Sequence, residues 1–255
     1  MINNAFITGA ASGIGKATAE ILYAQGWSLA LADIDEAGLS QLTQEWDKGR
    51  VRCYPLDVRD FRALEAALQD FTEAHDKRLH ALVNCAGILQ VGKVDSISFE
   101  RHQQIFDINV QGTLNACLAA LPYLRHTSQA VVINLSSITA LYGTPHFASY
   151  SASKFAIKGL TEALNLEWQN YDIRVCDILP PFINTPMFYH QGEGLPIMEK
   201  LGLELQAEDV AQVVLKQILK PKLHRMVGWR FQWAWALLLA LPHRLLEKTV
   251  RKLNQ

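Results

Sequence analysis

Cysteine is scarce in this chain, and Cys53, Cys85, Cys117 and Cys176 have neither metal-ligand nor redox-pair spacing. Three of them fall in stretches that read as buried, which fits reduced core thiols in a cytosolic protein. A charge surplus is missing too. The formal net charge is −1, so nothing suggests a general attraction to nucleic acid. No cationic leader precedes an apolar core at the start; Met1-Ile2-Asn3-Asn4 runs straight into a strand pattern. Repeats, low-complexity tracts and linkers are absent, and no metal site is expected.

What is present is a core-rich composition. Hydrophobic residues make up 49% and charged residues 19% of the 255. That length suits one large α/β domain or two small ones, and without a linker a single domain is the simpler expectation.

Residues 3–8 read as a buried strand. Thr8-Gly9-Ala10-Ala11-Ser12-Gly13-Ile14-Gly15 follows and opens onto a helix over Lys16–Gln25 with apolar residues at helical spacing. A glycine-rich turn between strand and helix lets the backbone approach a pyrophosphate, and the free N–H groups at the helix start hold the anion. A second strand, Ser28–Ala32, ends in Asp33, close to the ~20 residues beyond the last glycine expected of a ribose-binding acid. A carboxylate there accepts from ribose hydroxyls and repels a 2′-phosphate. Ser12 offers no compensating cation, so NAD(H) is favoured over NADP(H). The bland alternative for Asp33 is an ordinary loop acid.

Further on, helices are expected over 36–47, Asp60–Ala74, Ser98–Arg125, Tyr150–Asn170 and Glu208–Leu219. Strands are expected over Val51–Leu56, Ala81–Val83, Ala130–Leu135, Ile173–Leu179 and His224–Gly228. This alternation argues for an α/β fold, a Rossmann-type doubly wound parallel sheet with helices on both faces. Ligands bind such sheets outside the carboxyl ends of the strands. The glycine turn, Asp33, Asp57, Asn84, Ser137 and Pro180 all fall at those ends.

Tyr150 and Lys154 stand four residues apart, one turn along one helical face. A tyrosine hydroxyl is a poor acid–base group at its ordinary pKa of about 10. A nearby ammonium favours the phenolate, making the pair a proton shuttle for an alcohol or carbonyl. Alone, Tyr-x-x-x-Lys arises by chance on many helices.

With these motifs in this order, residues 3 to about 228 resemble the short-chain dehydrogenase/reductase family. The resemblance implies a cofactor turn at Thr8–Gly15, including Gly9, Ser12, Gly13, Ile14 and Gly15. It implies an acid near the adenine ring at Asp57, followed by Val58. Asn84-Cys85-Ala86-Gly87 resembles the family's Asn-Asn-Ala-Gly, with Cys85 in place of the second Asn. Asn109 matches the helix Asn that supports the lysine through a water. Ser137, Tyr150 and Lys154 match the catalytic Ser, Tyr and Lys. Ser136 is an alternative, but the family's usual spacing of thirteen residues selects Ser137. Pro180-Pro181-Phe182-Ile183-Asn184-Thr185 resembles Pro-Gly-x-x-x-Thr, with Pro181 where Gly is usual; Ile183 and Thr185 meet the carboxamide. The family also implies a homodimer or homotetramer and a substrate lid near 186–205. Met187, Phe188, Tyr189, Leu195 and Met198 there suggest an apolar substrate, although ordinary packing would explain them too. His146 and His190 are pocket candidates or plain loop histidines.

The chain then departs from the family. Three of the six tryptophans lie within Trp229–Trp235. The apolar stretch ends at Leu241, short of the ~20 residues that span a bilayer. Beyond Pro242, Leu245, Leu246, Val250 and Leu253 form an apolar stripe beside Arg244, Lys248, Arg251 and Lys252. That pattern suits an interfacial membrane helix at the inner surface, or equally a helix that closes a neighbouring subunit's pocket or extends an oligomer interface. Residues 1–228 are therefore expected to form the catalytic domain and 229–255 its extension. The expected activity is hydride transfer between NAD(H) and a lipophilic secondary alcohol or ketone. The alternatives are an NADPH-linked 3-oxoacyl thioester reductase and a non-catalytic dinucleotide-binding regulator.

Overall fold

A computed structural model of the chain describes residues 3–181, 183, 187, 205–228 and 243–253. Seven parallel strands form one sheet: β1 (Asn4–Thr8), β2 (Ser28–Asp33), β3 (Val51–Pro55), β4 (Ala81–Asn84), β5 (Ala130–Leu135), β6 (Ile173–Leu179) and β7 (His224–Met226). Their order across the sheet is β3-β2-β1-β4-β5-β6-β7. The chain therefore winds outward from β1 through β2 to β3. It then crosses back to lay β4 on the other side of β1, with Thr8 opposite Asn84. That reversal opens a crevice at the carboxyl ends of β1 and β4.

Side-chain alternation along the strands builds two cores. Ala5, Ile7, Leu29, Leu31, Val83 and Ile133 point to one face, under α1 (Gly13–Ala24) and α7 (Ala207–Leu219). Phe6, Ala30, Leu82 and Val132 point to the other, against α3 (Phe61–Glu73), α5 (Gly112–Leu124) and α6 (Ala148–Glu167). Phe6 and Leu82 are fully buried, and truncation to alanine costs about 3–5 kcal/mol at Phe6 and about 2–5 kcal/mol at Leu82.

Several boundaries differ from the sequence expectation. The helix expected over 36–47 is the shorter α2, Glu36–Leu42. The helix expected over Ser98–Arg125 is broken into α4 (Phe99–Phe106), a π turn (Asp107–Gln111) and α5. α6 starts two residues early, at Ala148, and ends at Glu167 before a 3-10 turn over Gln169–Tyr171. Cys117 and Cys176 are buried and Cys85 partly so, whereas Cys53 is exposed because β3 is an edge strand. Among the described residues no helix is long and apolar enough to cross a membrane. The last helix, α8 (His243–Leu253), exposes Arg244, Leu245, Lys248, Arg251 and Lys252, with Arg251 paired to Glu247 at 2.7 Å. Residues 229–242 and most of the expected lid lie outside the described residues.

Candidate active site

The cleft over the carboxyl ends of the strands begins at the glycine turn. Gly9 has φ +67, and a Cβ there would sit 2.6 Å from the Ala86 nitrogen. A Cβ on Gly15 would meet the Gly9 oxygen at 2.0 Å. Only glycine lets β1, α1 and the end of β4 approach this closely. The Ala86 amide donates to Thr8 Oγ1 at 3.2 Å and the Cys85 amide to the Thr8 carbonyl, fastening β4's end to β1's. Ser12 precedes α1 without making a side-chain capping hydrogen bond, and the helix's first turn carries no acid. The positive end of α1 therefore faces the cleft, as an anion site requires.

Asp33 closes the other side of the turn. Its Oδ2 accepts from the Ala11 amide at 2.9 Å and its Oδ1 from the Asp35 amide at 3.0 Å. Each oxygen keeps acceptor capacity for a further donor. Exposed Ile34 lines the cleft beside it.

Asp57 lines the cleft and carries a partner that the sequence reading did not anticipate. Its carboxylate is gripped by Arg59, whose Nε lies 3.1 and 2.9 Å from the two oxygens. That pairing holds the Asp57 carboxyl below the usual carboxylate range. Both residues line the cleft with Val58. Asn115 supports this corner, donating to the Val58 and Arg59 carbonyls at 3.1 and 3.2 Å. The Asn84 side chain is engaged within the sheet. It does not line the cleft; its amide donates to Asn134 Oδ1 at 2.9 Å, and Asn134 in turn to Thr161 Oγ1 at 2.9 Å. Asn84 thus ties β4 through β5 to α6.

At the far end, α6 and the end of β5 bring Ser137, Tyr150 and Lys154 together. All three are largely buried and line the cleft. Lys154 Nζ lies 5.5 Å from the Tyr150 ring centroid and donates to the Leu135 carbonyl at 2.7 Å. Burial pushes the Tyr150 phenol up to about 12, and a hydrogen bond from Ser137 pulls the other way. Burial brings the Lys154 ammonium down to about 8. Desolvation is the larger influence on Tyr150 here, and the Ser137 contact opposes it. Ser136 also lines the cleft, but its Oγ donates to the Lys154 carbonyl at 3.2 Å, whereas Ser137 Oγ accepts from the Thr139 amide and keeps its own proton to donate.

Asn109 sits in the π turn, and both polar atoms of its side chain are hydrogen-bonded. Its Oδ1 accepts from the Ile88 amide at 2.8 Å, while Nδ2 donates to the Ile88 carbonyl and to Ser153 Oγ at 3.0 and 3.1 Å. It locks the loop after β4 to α6 and does not line the cleft. Gly87 lies against both Asn109 Oδ1 and Lys154 Nζ. Pro180, Pro181, Ile183 and Met187 border the same end, whereas His146 does not. Thr185, Phe188, Tyr189, His190, Leu195 and Met198 lie outside the described residues. Sequence reasoning missed Ile34, Arg59, Gln104 and Ile108 in the lining. Only Arg59, two residues after an acid at a strand end, left a recognisable signal.

A glycine turn at the switch point of a doubly wound sheet, with Ser, Tyr and Lys at its far end, defines a nucleotide-binding oxidoreductase class. The chain belongs to the short chain dehydrogenase family, whose model matches residues 3–195. Members of this family act on CH–OH or keto groups. A 3-oxoacyl-[acyl-carrier-protein] reductase of Thermotoga maritima is 32% identical over 219 residues, covering 82% of this chain and 87% of that protein. A 3-ketodihydrosphingosine reductase of Bacteroides thetaiotaomicron is 36% identical over 179 residues, covering 70% of this chain and 63% of the relative. A short chain dehydrogenase/reductase from Burkholderia phymatum, solved in complex with NAD, superposes with a TM-score of 0.82 at 25% identity, covering 97% and 95% of the two chains.

Proposed function

We propose that the chain is an NAD(H)-dependent oxidoreductase acting on a secondary alcohol or ketone carried by a lipophilic molecule. The observation that carries this is the convergence of Ser137, Tyr150 and Lys154 at one end of a cleft whose other end is the glycine turn and Asp33. The residues fit a dinucleotide: close-approach glycines, uncapped amides at the start of α1, and a carboxylate with acceptor capacity left. The turn and α1 would hold the pyrophosphate, Asp33 the adenosine ribose, Lys154 the nicotinamide ribose, and Ile183 and Thr185 the carboxamide. When bound, the cofactor supplies the hydride donor or acceptor.

Tyr150 exchanges a proton with the substrate oxygen. Ser137 donates to that oxygen as charge develops on it. A phenol that keeps its proton up to about 12 is stocked as an acid at neutral pH, which suits ketone reduction. Asn109 holds the Ile88 loop and α6 in register and so positions Lys154.

A lipophilic substrate is supported by Met187, Ile183 and Pro181 at the catalytic end and by relatives named for a 3-keto sphingoid base. Residues 1–228 act as one catalytic domain with a lid near 186–205. The extension 229–255, with exposed cations on α8, makes peripheral membrane contact at the inner surface. The working form is a homodimer or homotetramer; exposed Phe99, Phe106, Leu118, Phe155 and Leu166 on α4, α5 and α6 supply apolar surface for it. A second reading, an NADPH-linked 3-oxoacyl thioester reductase, is favoured by the name of the Thermotoga maritima relative. Asp33 opposes it, because a carboxylate repels a 2′-phosphate.

The test is a screen of secondary alcohols and ketones of graded chain length, including a 3-oxoacyl thioester, with NAD(H) and NADP(H) in parallel. Turnover that rises with chain length and prefers NAD(H) is expected. NADPH-linked turnover of the thioester alone would establish the second reading. NADH binding without turnover of any compound would make the chain a non-catalytic regulator.

A further inference from the structure

His102 on α4 bridges the strap after β4 to the first turn of the catalytic helix. The 88–98 strap runs from the end of β4 to α4, and the 141–147 loop leads into α6. The Gly92 amide donates to the His146 carbonyl at 2.9 Å, so the two loops already touch. His102 Nε2 lies 2.9 Å from the Val94 carbonyl oxygen. A carbonyl only accepts, so Nε2 carries the proton and Nδ1 of the neutral ring is bare. Ser149 Oγ sits 2.6 Å from Nδ1 and must be the donor. The tautomer is thus fixed by the partners.

Ser149 is the second residue of α6 and immediately precedes Tyr150. The residue before the helix, Phe147, provides no side-chain cap. Two side-chain contacts tie the first turn of α6 to its surroundings: the Thr144 amide donates to Ser151 Oγ at 3.3 Å, and Ser149 bonds His102. The neighbouring Arg101 reinforces the strap, donating to Gln90 Oε1 at 3.2 Å and to Gln104 Oε1 at 2.6 Å.

We propose that His102 is a positioning residue: with Ser149 it clasps the first turn of α6 to the 88–98 strap and so sets where the Tyr150 hydroxyl stands in the cleft. A serine bonded to an imidazole whose other nitrogen is held also has the geometry of a nucleophile and its base. Neither residue lines the cleft, however, so the pair's use is mechanical. A serine hydroxyl can accept as well as donate, so the clasp holds whether or not the imidazole is protonated.

The catalytic consequence rests on the assignment of Tyr150 above; the clasp itself does not. The experiment is a double-mutant cycle in the full chain with H102L, S149A and the double variant, plus H102Q as the conservative control. The glutamine amide can both donate to Val94 and accept from Ser149. Amide hydrogen exchange over 144–151, the NADH dissociation constant, and kcat and KM on the best alcohol from the screen are measured for each. Each single variant should speed exchange at the start of α6 and lower kcat by about fivefold to tenfold, the worth of one neutral hydrogen bond. NADH affinity should stay unchanged. The double variant should be no worse than either single one, and H102Q should recover most of the loss. Unchanged exchange in both single variants, or strictly additive losses in the double variant, overturns the clasp. Absence of turnover in the wild type on every alcohol sinks the function above, while the exchange cycle still decides the clasp.

Discussion

The Lys154 ammonium points at the Leu135 carbonyl oxygen, 2.7 Å away, so the end of β5 holds the side chain that α6 sends into the cleft. Holding a cation there is costly, because burial brings its pKa from 10.5 down to about 8. Between those values the unfolded chain binds the proton and the folded chain does not, so stability rises with pH across the window. Below about 8 the full penalty stands, on the order of 3 kcal/mol. Replacing Lys154 with methionine removes that penalty but orphans a buried carbonyl, which costs about 1–2 kcal/mol. The K154M variant should therefore melt a few degrees higher than wild type at pH 7, with the gain shrinking at pH 10, and should lose turnover. A gain in melting temperature independent of pH would show that the ammonium is not desolvated as described.

Tyr150→Phe removes the hydroxyl and little else. Turnover should fall by roughly 10²–10⁴, while NADH titrated by fluorescence binds within about twofold of wild type. The phenol's high pKa, about 12, adds a directional signature. Ketone reduction needs the protonated phenol and should be flat through neutral pH. Alcohol oxidation needs the phenolate and should climb steadily as pH rises. Equal pH profiles in the two directions would remove Tyr150 from the proton transfer.

Asp33 combines two duties, pinning the Ala11 amide and offering its charge to the ribose. Asp33→Asn keeps acceptor and shape but drops the charge. The ratio of NADP to NAD affinity should rise by roughly tenfold, the scale of a partly screened charge pair. Calorimetric titration of both cofactors checks it, and an unchanged ratio would locate the discrimination elsewhere.

How much of this was legible beforehand depended on whether a residue's partner is near in sequence. The glycine turn, the strand alternation and the Tyr150–Lys154 spacing are local, and all three appear where expected. Asn84 was not readable. β4 is buried on both faces, so no polar alternation says which way its last side chain turns. The π turn at Asp107–Gln111 was hidden for a related reason: widening one turn shifts the helical phase without any distinctive residue. The depth of Tyr150 and Lys154 was hidden as well, because sequence spacing does not measure burial.

His224 on the edge strand β7 provides the last test. Its Nδ1 lies 2.9 Å from Asp177 Oδ1 and its Nε2 3.0 Å from Glu162 Oε1. The Asp177 contact, and more weakly Glu162, favour the protonated ring, and His224 is raised above its ordinary value of 6.5. Lys158 on α6 pairs with Glu162 and opposes this rise. Asp177 is wholly buried, and burial pushes its carboxyl up while His224 pulls it down. A group raised on folding contributes stability that is complete below 6.5 and is lost as pH climbs through its folded value. Replacing His224 with glutamine should cost about 2–3 kcal/mol below pH 6.5, since it removes a charged partner of a buried carboxylate. That corresponds to roughly 5–10 °C in melting temperature. The gap between the two proteins should then narrow toward alkaline pH, as the wild type loses its imidazolium and the variant has none to lose. Melting curves for both proteins from pH 5.5 to 9 settle the point: parallel profiles would mean that β7 is held to α6 by packing alone, with no proton involved.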